Sequence, residues 1–461
     1  MTTKTKTAAA SPKQDILDQY EAFRAGGATA SDWLAPVREA AMAQFREQGI
    51  PTTKWEDYRF TNLAPIERAK FRHASTYKQP DEIADTAAPM KFEEETSVEL
   101  VFGNGRLMQT NGGDALPGGV LVMSLAEAMK KHADIVKPHL AKVANLDSAP
   151  LAALNTAFIE DGLFVYVPKG VHLEKPVHAI FVTDSGGKSS GAGTGEERMV
   201  SHPRTLIVLG ESAEARVYET FTSREGDAFW SNPVTEAVVG ENARLEHLRF
   251  QDESNEAFHT GTVEATQERS SWFTTYSFAF GSRLTRNDVN LALLGEGIES
   301  DLDGLYIASG TQLIDHHTFV DHREPNCESR EFYKGILDDK ATGVFNGKIM
   351  VHQKAQKTDA KQTNRNLLLS DSANVHTKPQ LEIFADDVKC THGATIGQID
   401  ADSLFYLETR GIDEVTARSL LIYAFAGEVV ERVSFPPMRE RLQNLLYDRL
   451  PNGDELRELG E

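Results

Sequence analysis

The sequence predicts a mainly β fold, a parallel β-helix flanked by α-helical regions at both ends, from three observations. Beyond about residue 160, helical periodicity gives way to short β-prone runs separated by Gly, Asn and Asp, as at 163–167, 178–182 and 205–209. A small turn pattern then keeps returning: an apolar residue, a small or turn residue, an acid, any residue, and Ala or another apolar. It reads Leu209-Gly210-Glu211-Ser212-Ala213, Val239-Gly240-Glu241-Asn242-Ala243 and Leu294-Gly295-Glu296-Gly297-Ile298. Further copies are Leu337-Asp338-Asp339-Lys340-Ala341, Leu369-Ser370-Asp371-Ser372-Ala373 and Phe384-Ala385-Asp386-Asp387-Val388. Third, no helical segment interrupts roughly 200 residues of these units, as expected of a solenoid whose repeats bury one another. The spacing between copies is irregular, so a double-sheet sandwich array is the alternative architecture.

In chain order, residues 1–12 read as a disordered tail and 13–150 as an N-terminal helical domain. Within it, 15–48 carries Leu34, Val37, Ala41 and Phe45 at helical spacing, and Gly49-Ile50-Pro51 ends the run. The stretch Thr52-Thr53-Lys54-Trp55-Glu56-Asp57-Tyr58-Arg59-Phe60-Thr61-Asn62 is dense in rings and charges; it is read as a loop packing its rings on the helices, with a ligand site as the alternative. A further helix is expected over 124–139. Residues 151–400 form the expected β-helix core, interrupted at 185–195 (SGGKSSGAGTG) by what reads as a mobile surface loop. Helices return in a C-terminal domain, 401–461. There Asp413 is a plausible N-cap, Leu421, Ala424, Phe425 and Val429 make an apolar stripe, and Pro436-Pro437 breaks to a last helix over 438–450.

Composition narrows the function. Lys and Arg number 48 against 69 acids, a formal net charge of −21, which repels a phosphate backbone and argues against a nucleic-acid partner. Two cysteines, Cys327 and Cys390, are too few for a disulfide framework or a closed structural zinc site. The first residues lack the apolar block of a signal peptide, and no apolar run is long enough to span a membrane, so a cytoplasmic protein is expected. Gly187-Lys188-Ser189 imitates the end of a phosphate-binding loop, but the glycine required five residues earlier is Val182. Neither a nucleophile elbow nor a zinc-protease helix motif is present.

Residues with chemical potential gather between 315 and 392. Asp315-His316-His317-Thr318-Phe319-Val320-Asp321-His322 holds three histidines, and Cys327, His352 and His376 follow. Such a segment serves as a hydrogen-bonded turn or interface, or as a metal nest. Further on stands Lys389-Cys390-Thr391-His392-Gly393. In a strand, Cys390 and His392 share a face with their Cα atoms about 7 Å apart. A thiolate beside an imidazole is a donor pair suited to iron–sulfur or zinc chemistry, but a neighbouring coil or another chain must supply the remaining ligands. The other reading is a small buried Cys390 and a hydrogen-bonded His392.

The run Lys378-Pro379-Gln380-Leu381-Glu382-Ile383-Phe384-Ala385-Asp386-Asp387-Val388-Lys389-Cys390-Thr391-His392-Gly393-Ala394-Thr395 resembles the signature of the SufD branch of the SufB/SufD family of iron–sulfur cluster assembly proteins. The likeness continues through Asp402-Ser403-Leu404-Phe405-Tyr406-Leu407, Arg410-Gly411-Ile412, Asp315-His316-His317-Thr318 and Gly347-Lys348-Ile349, and the aromatic stretch 53–62 resembles that family's N-terminal signature. The resemblance implies a right-handed β-helix between helical ends. It also implies a non-enzymatic scaffold that pairs with a SufB-like paralogue and binds a SufC-like ATPase. SufB-like chains carry additional cysteines, which favours the SufD branch here. By the same resemblance His392, with Cys390 beside it, faces the paralogue and helps build the nascent cluster as ligands shared with that partner. No cofactor is then held stably by the isolated chain. The C-terminal helices, with Leu421, Phe425 and Val429 as contacts, would receive the ATPase. The isolated chain could form a homodimer through the face meant for its paralogue. The competing class is a β-helical enzyme acting on polysaccharide, with Asp315, Asp321 and Arg323 in a cleft.

Overall fold

The computed structural model describes residues 12–25, 33–74, 80–113, 116–185 and 198–460. The expected tail up to residue 11 and residues 186–195 of the expected Gly/Ser loop lie outside the described residues.

The N-terminal region begins with α1 (Pro12–Ala25) and α2 (Ala35–Gln48). Gly49 ends α2 at φ 72°, its N–H bonding the Phe45 carbonyl, so the glycine supplies a backbone angle other residues resist. Next come α3 (Ala64–Arg68), β1 (Phe71–His73) and α4 (Pro80–Ala87). They are followed by β2 (Val98–Gly103), β3 (Arg106–Gly112), β4 (Leu121–Ser124), α5 (Leu125–Lys131), α6 (Ala133–Val136) and α7 (Pro150–Ala157). Ser124 caps α5 by accepting from the Glu127 N–H. The region is therefore not purely helical: β2 and β3 form a hairpin that extends one sheet of the core, and β4 extends the other.

The core strands alternate between two sheets. They run β5 (Leu163–Val167), β6 (Val177–Val182), β7 (Arg198–Ser201), β8 (Arg204–Leu209), β9 (Glu214–Thr222), β10 (Phe229–Ser231), β11 (Val234–Val239) and β12 (Arg244–Asp252). Then follow β13 (Phe258–Gln267), β14 (Trp272–Ala279), β15 (Leu284–Leu293), β16 (Glu299–Ala308), β17 (Leu313–His322) and β18 (Glu328–Leu337). Last come β19 (Thr342–Val351), β20 (Asp359–Leu368), β21 (Asn374–Ile383) and β22 (Lys389–Gly397). One sheet is ordered β21-β19-β17-β15-β13-β11-β8-β5-β4 and the other β22-β20-β18-β16-β14-β12-β9-β6-β2-β3. Within the core each strand pairs in parallel with strands one coil away, giving a parallel β-helix of about seven coils rather than a sandwich array.

The turns explain both the repeat and its irregularity. Ser212, Asn242 and Ser270 occupy the left-handed region at φ 56°, 56° and 55°. The Ser212 N–H bonds the Glu241 carbonyl and the Asn242 N–H bonds that of Arg269, so successive turns stack. Coil length varies between them: Phe258 pairs with Leu284, 26 residues on, whereas Thr342 pairs with Asn374, 32 on. The repeated pattern serves two different corners. The copies at 209–213, 239–243, 294–298 and 384–388 lead from the first sheet to the second, while 337–341 and 369–373 lead back. The same φ > 0 chemistry closes either corner, so sequence alone does not separate them.

The C-terminal region comprises α8 (Ala401–Thr409), α9 (Glu414–Val430), α10 (Pro436–Arg449) and α11 (Gly453–Gly460). Asp413 caps α9, its carboxylate accepting from the N–H groups of Val415 and Thr416. Ile422, Ala426, Val429 and Val430 are buried in one cluster with Tyr218, Leu248, Phe278, Leu305 and Ile336 of the second sheet.

Candidate functional site

Among the described residues, no strand is stacked beyond the last coil. β22 pairs with β20 alone along its length, with Ala360 opposite Cys390 and Gln362 opposite His392. On β20, Ala360, Gln362 and Asn364 are buried while Lys361 and Arg365 are exposed, so the even positions face the inside of the solenoid. Register passes that direction on. Cys390 and His392 face inward together, as their spacing of two dictates. Cys390 is half-buried against the apolar core, and His392 is exposed because no further coil covers it. Neither is sealed: both stand at the open mouth of the solenoid. Val375, Thr377 and Leu381 of β21 line its opposite side, and Ile383, Phe384 and Ile396 are exposed apolar side chains at this end.

Burial pushes the Cys390 thiol up, and Asp359 adds to the shift, so the sulfur is a thiol in the free chain and would have to lose its proton to bind a metal. One rung in from His392, the Gln362 amide nitrogen donates to Glu331 at 3.1 Å, and the Thr318 hydroxyl donates to the same carboxylate oxygen at 2.5 Å. Burial lifts Glu331 to about 7, against the pull of those two hydrogen bonds. Among the described residues, no group of three or more His, Cys, Asp or Glu side chains is placed to hold a metal ion. Cys390 and His392 thus have no third such donor beside them among the described residues.

The 315–322 segment is β17, and its polar groups are spent on structure. Asp315 is buried, taking hydrogen bonds from Arg286 at 2.7 Å and from the Thr61 hydroxyl, with His317 at 3.2 Å. His316 meets the Ser277 hydroxyl at 3.1 Å and burial drops it to about 3, so the ring is neutral. His322 meets the Ser329 hydroxyl at 2.9 Å, and His352 meets Asp321 at 2.8 Å. Cys327 is buried, its thiol directed at the Gly295 carbonyl at 3.3 Å. Asp315 thus lies outside any open cleft it could share with Asp321 and Arg323, which pair with each other at 2.7 Å.

The aromatic stretch 55–62 clasps the first sheet as well as the N-terminal helices. Tyr58 is buried with Phe45 of α2, and the Arg286 guanidinium lies 4.4 Å from its ring centroid. Phe60 stacks on His376 of β21 with centroids 4.1 Å apart.

The apolar stripe of α9 is placed differently from the expected docking surface. Val429 is buried against the chain's own second sheet, and Leu421 and Phe425 are half-buried. Phe425 covers the Lys334 ammonium, 4.2 Å from its ring centroid. Ala424 is exposed, and the face that holds α9 to the solenoid is Ile422, Ala426, Val429 and Val430, with Phe425 at its edge, because an apolar face packs on the nearest apolar surface it can cover. The large apolar side chains exposed among the described residues of this region are Phe405 (67 %), Tyr406 (57 %) and Val415 (47 %), on α8 and the first turn of α9. Sequence reading passed over all three as candidates. It also passed over Gln362 and Glu331, which only register brings to the site.

Two family models match the chain. One described as SUF system FeS cluster assembly, SufBD core domain, matches residues 192–425, and the SufBD protein N-terminal region matches residues 11–179. An iron–sulfur cluster assembly SufBD family protein of Synechocystis is 31 % identical, covering 90 % of this chain and 91 % of that protein. The iron–sulfur cluster assembly protein SufD of Escherichia coli is 30 % identical, covering 91 % and 94 %. Protein ABCI7, chloroplastic, of Arabidopsis thaliana is 31 % identical, covering 89 % and 85 %. With its two-sheet solenoid, its helical ends and these matches along nearly its whole length, the chain belongs to the SufBD family of iron–sulfur cluster assembly proteins.

Proposed function

We propose that the chain is a non-enzymatic scaffold subunit of the SufD type, acting in the cytoplasm, whose open last coil receives a SufB-like paralogue. The supporting observation is that a thiol–imidazole pair stands on a terminal strand paired on one side only, at a solenoid mouth with exposed apolar side chains. An edge strand offers a row of free N–H and C=O groups for strand addition, and Ile383, Phe384 and Ile396 add apolar area to that contact. Cys390 and His392 then supply part of the ligand set for a nascent cluster, and the paralogue supplies the rest. The cluster is cargo, held at the junction and passed on. In the absence of the paralogue the same edge supports a homodimer.

A SufC-like ATPase fits the C-terminal helices, and Phe405, Tyr406 and Val415 are the side chains free to meet it. Movement of these helices would reach the last coils through the side chains that bind α9 to the second sheet.

The test is reconstitution of the three-chain complex. His392→Ala is expected to assemble with both partners and to form no cluster; a normal cluster yield removes His392 from the role. Removal of the chain from residue 401 onward is expected to abolish co-purification of the ATPase while the paralogue is retained. Undiminished ATPase binding overturns the placement of that surface.

A further inference from the structure

We propose that Gln362 is the positioning residue for His392, its carboxamide oxygen accepting a ring N–H and so fixing which imidazole nitrogen faces the cluster. This rests on the reading of His392 as a ligand, and adds to it a residue that holds the ring.

The geometry starts from register. Gln362 and His392 are direct partners on β20 and β22, on the same inward face, with their backbones about 4.8 Å apart across the ladder. Gln362 is 2 % exposed. Its amide nitrogen is committed to Glu331, and that carboxylate oxygen also takes the Thr318 hydroxyl. The amide stands against Gly347, where a Cβ would lie 2.1 Å from the nitrogen, so the side chain is held on that side by backbone. Its oxygen is left buried with no hydrogen-bond partner. An orphaned buried acceptor costs free energy until a donor reaches it.

On the β22 side of Gln362 the next inward side chain is His392. In the free chain its imidazole is exposed, and a subunit stacking on the last coil would press the ring toward the solenoid interior. A ring N–H to the Gln362 oxygen would satisfy the acceptor and present the other nitrogen, lone pair outward, to the incoming iron. Ligating histidines ordinarily have their second nitrogen fixed by such a partner, and loss of it weakens metal binding about 10–100-fold.

The experiment uses the reconstituted three-chain complex with this chain selectively ¹⁵N-labelled at histidine. Gln362→Leu removes the acceptor, and Gln362→Glu restores one in nearly the same volume. In the wild-type complex the His392 ring is expected as a single tautomer. In Gln362→Leu it becomes a mixture and the cluster yield falls about tenfold or more. Gln362→Glu returns both toward wild type. If His392→Ala abolishes clusters while Gln362→Leu leaves tautomer and yield unchanged, the positioning role is refuted and the ligand role stands. If His392→Ala has no effect, the ligand reading fails and this inference with it. Should Gln362→Leu fail to assemble, Gln362→Glu decides alone: a wild-type tautomer supports the role, and a mixed one overturns it.

Discussion

Tyr333 on β18 and Gly304 on β16 are register partners, and the phenol ring occupies the space that a side chain at 304 would need. A Cβ there would fall 2.2 Å from the ring. Two residues along, the relation inverts: Tyr306 on β16 covers Gly335 on β18, where a Cβ would lie 2.4 Å from that ring. Large and small side chains thus alternate between coils, which lets two tyrosines share a lumen too narrow for both at one level.

Gly304→Ala is therefore expected to destabilise the solenoid by about 1–3 kcal/mol, since the ring has packed neighbours on every side. Adding Tyr333→Leu should recover part of the loss. Urea unfolding of the single and double variants measures it, and an unchanged midpoint in Gly304→Ala contradicts the packing.

Lys334 ties the C-terminal helices to the core. Its ammonium is fully buried, donating to the Phe425 carbonyl at 2.7 Å and pairing with Glu428 at 2.8 Å. Lys334→Met keeps the aliphatic stem but removes the charge-assisted second hydrogen bond to that carbonyl, at a cost of about 1–3 kcal/mol. The loss should be local. Hydrogen exchange is expected to quicken across α9 and leave β12–β18 protected, so uniform protection in the variant rules the anchor out.

Glu331 gives a pH dependence whose sign follows from burial. Its folded value of about 7 lies above the unfolded value of roughly 4.3, so the folded state holds this proton more tightly. The stability it contributes is fully present below the unfolded value and is lost as pH rises through about 7. Glu331→Gln removes this loss. Relative to wild type, the variant should gain about 2–4 kcal/mol between pH 4 and pH 8. Parallel stability curves for the two proteins over that range would show that Glu331 does not titrate as argued.

Arg204 and Glu236 form a fully buried pair at 2.6 Å, and Glu236 also accepts the backbone N–H groups of Ala141, Val143 and Ala144. Either Arg204→Met or Glu236→Leu leaves its partner's charge buried, at about 3–5 kcal/mol. The double variant should be less damaged than the sum of the two, and simple additivity in a double-mutant cycle would deny the coupling.

Much of this was legible in the chain because it is local chemistry. Gly49 stops α2 and Asp413 caps α9, each through atoms within four residues of it. The acid-and-glycine turns announced strands that fold back on one another. The hairpin β2–β3 was legible too, through Asn104-Gly105, whose φ values of 51° and 83° suit a two-residue turn, but it was overlooked. The spacing of Cys390 and His392 placed them on a common face. It could not say that the face points into the solenoid.

That direction, and the fate of Val429, Asp315 and Gln362, belonged to tertiary structure. Periodicity states which side chains travel together along a strand or helix. Whether they meet solvent, a core or one another depends on strands and helices tens to hundreds of residues away, such as β20 under β22 and the second sheet under α9. Local chemistry set the coil-forming units, the helix ends and the two-residue spacing of Cys390 and His392. Only stacking left the final coil uncovered, because a solenoid buries each coil with the next and the last has none.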